Sequence, residues 1–464
     1  MAKVLLIQSA FMYKHHTHLQ PLGIMFVASA IRSKGHDVRI VDMKVENIGV
    51  AETIRRVGEF KPDVLGITAM TYESDCMHAL ATQARKTMPD MPVVVGGAHA
   101  ANMPDETLLK GKDINYVVIG EGEQTFTELL EVLENGGDVH GVKGIAFRDN
   151  GEVVRTEPRP YIEDLDAWPF PAWDLIPVKK YFDIPRGGII FHYKEFMTVF
   201  SSRSCPYQCI YCHRNLGKVY RARKPERVVD EIEILVKDYG IREIEFMDDM
   251  FNLSKERVQH ICQAIGERGL DIKMTFPNGM RADLLDVKTL KALKAAGMYR
   301  TMLAIESGSP RMQKLMKKNV KLEKAKEIIE EAVKLGIMTH GAFMLGFPTE
   351  TADEMRMTID FARRSKFHTA AFYRVLPFPG SELYEMVKKE KPDMEVTPER
   401  FEYHSSDINL SRVSEEMVTG FRKRAYLQFY LNPIRLFRIL FRLPNKMYLV
   451  PRLIKMFINR ALEQ

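Results

Sequence analysis

Three cysteines, Cys205, Cys209 and Cys212, lie within eight residues of this 464-residue chain, and their type and spacing suit metal-cluster chemistry. They stand in Cys205-Pro-Tyr-Gln-Cys209-Ile-Tyr-Cys212, directly after the strand-like run Met197-Thr-Val-Phe-Ser-Ser-Arg203. A loop leaving a strand can turn three thiolates onto one cluster. Three protein ligands on a four-iron cubane leave one iron for an outside molecule to chelate. The competing readings are a zinc site and a disulfide. Zinc asks for four ligands, and only His213 is near, crowded against Cys212. A chain with five cysteines, three of them in one motif, is no disulfide scaffold and suits a reducing cytoplasm. Cys76 and Cys262 stand alone in helix-like stretches and read as packed thiols.

The C-x3-C-x2-C pattern, with the aromatic Tyr211 before its last cysteine, resembles that of the radical S-adenosylmethionine (SAM) family. The resemblance implies that Cys205, Cys209 and Cys212 hold a 4Fe-4S cluster whose fourth iron is chelated by the amine and carboxylate of SAM. It further implies reductive cleavage of SAM to a 5′-deoxyadenosyl radical that takes hydrogen from an unactivated carbon. The electron would come from a flavodoxin- or ferredoxin-type donor. In such enzymes the cofactors carry the hard chemistry and the protein orients them and excludes water.

The elements after the cysteines must bring polar groups to that loop. Strands are expected at 243–247, 273–276, 299–305, 337–345 and 370–375, each separated from the next by a helical stretch. With the strand before the cysteines they make six βα units. Every polar or glycine motif falls at a strand's carboxyl end, which is the active-site face of an α/β barrel. The resemblance makes residues 195–390 a six-stranded partial barrel and assigns roles at those exits. Asp248 and Asp249 would meet the SAM ammonium, and Glu306, in Ile-Glu-Ser-Gly-Ser, would meet the ribose. Arg281 would pair with the SAM carboxylate. Gly346, in Leu-Gly-Phe-Pro, would pass under adenine beside Tyr211.

The first 140 residues alternate in the same manner, with strands expected at 3–9, 37–42, 62–68, 92–96 and 116–119. That pattern predicts a doubly wound, flavodoxin-like parallel sheet, which binds ligands beyond the carboxyl ends of its strands. Pro21-Leu-Gly-Ile, Val95-Gly-Gly-Ala-His99 and Val118-Ile-Gly-Glu-Gly-Glu123 together resemble the cobalamin-binding domain that precedes many radical SAM cores. The resemblance puts Gly23, Thr68, Gly96, Gly97, Gly120 and Glu121 at cobalamin, with the glycines allowing close backbone approach. The D-x-H-x-x-G motif that supplies a cobalt-ligating histidine in other cobalamin domains is absent. His15, His16 and His18 read as lining the first loop rather than as ligands.

Residues 141–194 read as a linker with a hairpin around Asn150-Gly151. Residues 391–464 form a helical, basic tail: from Met417 to Arg460 there are ten Lys or Arg and no acid. Arg435, Arg438 and Arg442 share one helical face, which suits either a helix lying in a membrane interface or a barrel cap with solvated arginines. No apolar run reaches the roughly 18 residues of a spanning helix, and the amino terminus reads as a strand rather than a signal peptide. A net charge of +6 is mild for this length and does not indicate nucleic acid. The domain order resembles that of class B radical SAM methyltransferases, implying a SAM-derived methyl group placed on carbon through methylcobalamin. The alternative is oxidative cyclisation or rearrangement, as in the anaerobic cyclase of chlorophyll synthesis. The substrate class (small molecule, peptide or lipid) is open, and peripheral membrane contact follows only if the tail meets lipid.

Overall fold

Short strands buried on both faces, alternating with amphipathic helices, force parallel sheets covered on each side. The structure, a computed structural model, describes residues 1–10, 19–184, 186, 190–213, 216–390, 392, 409–444, 446 and 450–451. Two compact units result. The first takes in 1–185, 212–221 and 377–406, and the second 186–211, 222–376 and 407–464.

In the first unit, β1 (Lys3–Gln8), β2 (Asp37–Asp42), β3 (Val64–Thr68), β4 (Val93–Gly96) and β5 (Tyr116–Val118) lie parallel in the order β2-β1-β3-β4-β5. The sheet is doubly wound and parallel, as expected. Val4, Leu5, Leu6 and Ile7 of β1 are all buried, as a strand covered on both faces requires. Helix α1 (Leu22–Ser33) packs on α2 (Gly122–Asn135). The hairpin at Asn150-Gly151 is present, with φ of 49° and 90° at its two central residues. It is part of the sheet rather than a linker. Its strands β6 (Ile145–Asp149) and β7 (Glu152–Arg155) extend the sheet antiparallel from β5, with Val117 opposite Ala146.

The second unit holds β8 (Phe196–Val199), β9 (Glu243–Phe246), β10 (Lys273–Met280), β11 (Met298–Glu306), β12 (Met338–Leu345) and β13 (Thr369–Arg374). They form one parallel sheet in chain order, and β8 and β13 are its two edges, so it is a partial barrel. Phe246 and Phe276 stack in its interior at 5.2 Å. At the amino ends of the strands, the buried Glu243 carboxylate accepts from Arg186 Nη1 and Tyr299 Oη, each at 2.9 Å, and from the His192 and Tyr193 amides. Polar networks at that end of a barrel serve stability.

The tail forms α3 (Glu415–Tyr430) and α4 (Pro433–Arg442). The expected arginine row divides: Arg442 is exposed and Arg438 half-buried, but Arg435 is corrected from solvated to buried. Arg435 is among the largest fully buried side chains of the chain. Its guanidinium donates to the carbonyls of Phe367, Phe429, Arg363 and Ser365 and stacks on the Phe429 ring at 3.6 Å. Arg363 and Ser365 lie at the end of the helix Ala352–Arg364, whose last carbonyls lack helical partners and favour a cation. With arginine turned inward, Ile434, Leu436, Phe437, Leu440 and Phe441 are exposed. Among the described residues, no helix is long and apolar enough to cross a membrane.

Candidate functional site

The cysteine loop is pinned at both ends. It opens at Ser204, whose φ of 70° turns the chain sharply after the short strand Ser202–Arg203, which pairs with Arg221–Ala222. Near its far end the Ile210 amide donates to Met316 O at 3.2 Å. Cys209 is buried, Cys205 half-buried and Cys212 exposed. Burial raises the Cys205 thiol pKa. The neighbouring Cys209 and Asp249 charges act in the same direction and Lys318 opposes them. Among the described residues no group of three or more His, Cys, Asp or Glu side chains stands ready to hold a metal. Like-charged thiolates gather on the cation they bind, so metal binding and local ordering are coupled. The donor set, three thiols on one short anchored loop, fits a cluster with an open iron.

Around this loop, the exits of β11 and β12 supply a compact constellation. Glu306 adopts φ of 66°, a strained conformation for a non-glycine residue. Gln313 holds that turn by donating to Ile305 O and Ser307 O at 2.8 and 2.7 Å. Glu306 Oε1 accepts from Lys318 Nζ at 2.8 Å and from Tyr211 Oη at 3.3 Å. The Tyr211 ring meets Phe347 edge-on, with centroids 5.8 Å apart. Gly346 takes φ of 99°, and its amide and that of Phe347 both donate to Glu350 Oε2, at 2.7 and 3.0 Å. Glu350 is buried, which lifts its carboxyl to about 7. Thus Tyr211, Glu306 and Gly346 come together as the sequence suggested, joined by two residues that reading missed, Lys318 and Glu350. Lys318 lies in an irregular turn between Lys317 and Asn319, both at positive φ, and no periodic pattern marks it.

Two other expectations are corrected. Asp248 is completely enclosed and does not face a ligand. Its oxygens accept from the Ser201 amide at 3.2 Å, Ser201 Oγ at 2.7 Å and Ser202 Oγ at 2.5 Å, and burial raises its pKa. It braces the strand leading to the cysteines. Asp249 is the exposed member of the pair, and its charge reaches the Cys205 thiol. Arg281 is likewise engaged. It meets the Asp283 carboxylate through two nitrogens, at 2.9 and 3.2 Å, donates to Asn319 O, and lies 4.0 Å over the Tyr207 ring. It therefore holds Tyr207 of the cysteine loop rather than standing open to a ligand carboxylate.

In the first unit, the cofactor-side glycines divide by cause. A Cβ at Gly23, in the first turn of α1, would stand in open space, and one at Gly96 would make only ordinary contacts with Val118. These positions, at the carboxyl edge of the parallel sheet, fit a large ligand lying close to backbone. Gly97 is required by the protein itself: its φ is 85°, and a side chain would strike Thr68 Oγ1 and the Ala69 backbone. The Thr68 carbonyl accepts from the Ser9 amide and hydroxyl. Gly120 turns the chain at φ of 84°. Glu121 is corrected from ligand contact to ion pair. Both its oxygens accept from Arg221 Nη1, at 2.9 and 2.7 Å, and one also accepts from the Ile162 amide at 2.7 Å. His15, His16 and His18 lie outside the described residues.

Comparison with known proteins agrees with this division. The B12 binding domain family matches residues 11–130, and the radical SAM superfamily matches residues 199–362. An uncharacterized methyltransferase of Pyrococcus horikoshii is 34% identical over 91% of this chain and 90% of its own length. Cytidylyl-2-hydroxyethylphosphonate methyltransferase of Streptomyces wedmorensis is 30% identical over 88% of this chain and 86% of its own. An anaerobic magnesium-protoporphyrin IX monomethyl ester cyclase of Rubrivivax gelatinosus is 28% identical over 88% and 75%.

Proposed function

We propose that this chain, which belongs to the cobalamin-dependent radical SAM methyltransferase family and works with a 4Fe-4S cluster, SAM and cobalamin, methylates an unactivated carbon of a small molecule. When bound, these cofactors supply a carbon-centred radical and a transferable methyl group. The chain's own residues bind, orient and shield. Cys205, Cys209 and Cys212 are the cluster ligands. Tyr211 and Phe347 form an aromatic wall for an adenine ring, and Glu306 presents its carboxylate to ribose hydroxyls. Lys318 donates to Glu306 at 2.8 Å and holds it in place. Asp249, exposed beside the cysteine loop, accepts from the SAM ammonium. Gly346, its amide already satisfied by Glu350, offers a flat backbone surface without a side chain. Gly23 and Gly96 cradle cobalamin. An electron donor of flavodoxin or ferredoxin type reduces the cluster in a reducing, cytoplasmic setting.

The observation that carries this reading is the Tyr211–Glu306–Lys318 cluster beside an anchored three-cysteine loop. Methyl transfer is preferred to cyclisation because two methyltransferase relatives match at higher identity than the cyclase over comparable spans of this chain. The test uses reconstituted full-length protein with cobalamin, a strong reductant, methyl-labelled SAM and an extract of the source cells. A methyltransferase forms S-adenosylhomocysteine and 5′-deoxyadenosine together with a labelled product. Consumption of a substrate with 5′-deoxyadenosine but no S-adenosylhomocysteine would establish the cyclase or rearrangement reading instead.

The exposed apolar face of α4 favours one addition, contact with an anionic lipid surface. Five large apolar side chains on one helix face outward, on a stretch from Met417 to Arg460 with ten cations and no acid. That pairing of greasy face and positive charge is complementary to an anionic interface.

A further inference from the structure

The lumen of the partial barrel carries charged and polar groups that the protein leaves unanswered. On β11, Arg300, Met302 and Ala304 are partly exposed, while Thr301 and Leu303 between them are buried. The strands β12 and β13 repeat the alternation. There His340 and Ala371 are partly exposed, and Phe343 and Phe372 are buried against the helix side chains Phe361 and Tyr426. A barrel filled by its own side chains has no such accessible row. At the amino end the lumen is closed, because Met338 packs with Ile439 of α4 and with Leu443.

Across this face runs a polar row. In the parallel register Glu245 lies beside Thr275, and Thr275 beside Arg300, so the three share one face of β9, β10 and β11. Among the described residues Arg300 makes no hydrogen bond or ion pair. Its charge reaches both Glu245 and His340. Thr275 Oγ1 is enclosed without a partner. His340 Nδ1 lies 2.8 Å from Thr369 Oγ1, and burial together with the Arg300 charge lowers the ring to about 4, so it is neutral at pH 7. Glu245, 3% exposed, meets Arg186 at 3.8 Å, but that arginine is already committed to Glu243 at 2.9 Å. Burial raises the Glu245 pKa, which favours its neutral, donating form beside a bound anion.

An enclosed cation without a counter-ion is costly, and a ligand that supplies one removes the cost. We propose that Arg300 anchors an anionic oxygen group of the substrate, of the carboxylate or phosphate class, inside this lumen. Glu245 stands three residues before Asp248 at the strand exit, about 10 Å along an extended strand. The molecule is therefore short, with its head on Arg300, its body along Met302 and Ala304 and its reacting carbon near the exit. The inference rests on the proposed function, in which the cofactors act at that exit.

The test titrates reconstituted full-length protein, saturated with SAM, with benzoate, phenyl phosphate, benzyl alcohol and benzylamine, which share a ring and differ in head group. Calorimetry reads affinity, and thermal melting and SAM cleavage are followed on the same preparations. At least one anion should bind about tenfold more tightly than benzyl alcohol, as one charge-assisted hydrogen bond allows. Which anion does so distinguishes a carboxylate from a phosphate head. Arg300→Met should erase the preference, and Arg300→Lys, which keeps the charge but not the planar fork, should recover part of it. Ala371→Leu, which fills the lumen without changing charge, should weaken binding of every probe. Tightest binding of benzylamine, no preference for either anion, or a preference that survives Arg300→Met overturns the anchor. Should Arg300→Met fail to melt cooperatively, Ala371→Leu decides in its place, and undiminished anion affinity there overturns the anchor as well. SAM cleavage that persists without any anion preference sinks the anchor alone, whereas a reconstituted chain that does not cleave SAM sinks the proposed function and the anchor with it.

Discussion

Lys318 Nζ stands 2.8 Å from Glu306 Oε1, and the two side chains are 11% and 9% exposed. This pair, set at the exit of β11, holds the carboxylate that Tyr211 also contacts. Replacing Lys318 with Met removes the charged one of the two donors that Glu306 Oε1 accepts from. A charge-assisted hydrogen bond contributes roughly 1.5–3 kcal/mol, so SAM affinity is expected to fall by at least about tenfold. Equilibrium binding of SAM to the reconstituted protein measures it. Unchanged binding would remove Lys318 from the site.

The cysteines divide into two classes with opposite outcomes. Ala at Cys205, Cys209 or Cys212 should abolish iron binding, the absorbance near 400 nm expected of the cluster and SAM cleavage. Ala at Cys76 or Cys262 should leave all three intact. Both of these thiols are buried, and burial pushes Cys262 up to about 12, so it stays a thiol at neutral pH and does not react. Alkylation of the native apo-chain at pH 8 should accordingly label the exposed Cys212 well before either.

Glu350 makes stability depend on pH in a defined direction. Its folded-state carboxyl sits at about 7 against an ordinary 4.5. Between those values the folded chain holds a proton that the unfolded chain has released, so stability falls as pH rises through that window. Glu350→Gln keeps a carbonyl for the Gly346 and Phe347 amides and removes the titration. Its melting temperature should therefore lose this decline between pH 5 and 7, which a melting series against pH will show. An identical slope in both proteins would mean that Glu350 is ionised throughout.

Gly97→Ala should destabilise the first unit whether or not cobalamin is present. The left-handed backbone alone costs a non-glycine residue about 1–3 kcal/mol, and the added methyl meets Thr68 Oγ1. Gly23→Ala places its methyl in open space, so it should melt normally and lower only cobalamin uptake. Thermal melting alongside titration with hydroxocobalamin distinguishes the two. Loss of stability in Gly23→Ala would contradict the open cradle.

The tail offers a matched pair of variants. Arg435→Ala strips four carbonyls of their donor and should cost about 2–3 kcal/mol of stability. The triple change of Phe437, Leu440 and Phe441 to Ser touches only exposed side chains and should leave melting unaltered. It should abolish co-sedimentation with vesicles containing anionic lipid while sparing SAM cleavage. Equal sedimentation of the triple variant and the unaltered chain would rule out lipid contact by α4.

The sequence by itself determined the local features. Cysteine spacing, the strand–helix alternation and the placement of glycine and acidic motifs at strand ends are set by neighbouring residues, and the expected strands assembled into two parallel sheets. Only the tertiary structure decided which charged groups are already paired. Arg281 meets Asp283, Glu121 meets Arg221 from 100 residues away, and Asp248 is enclosed by Ser201 and Ser202. A carboxylate beside a motif looks alike in sequence whether it faces a ligand or a guanidinium. The outcome depends on which partner reaches it once water is removed. The same limit applies to α4. Periodicity separated its arginine row from its apolar residues, but the inward face was chosen by unpaired carbonyls at the end of a helix some 70 residues earlier. Those acceptors gave Arg435 a better buried environment than any leucine could offer, which is why the greasy face is the one left outside.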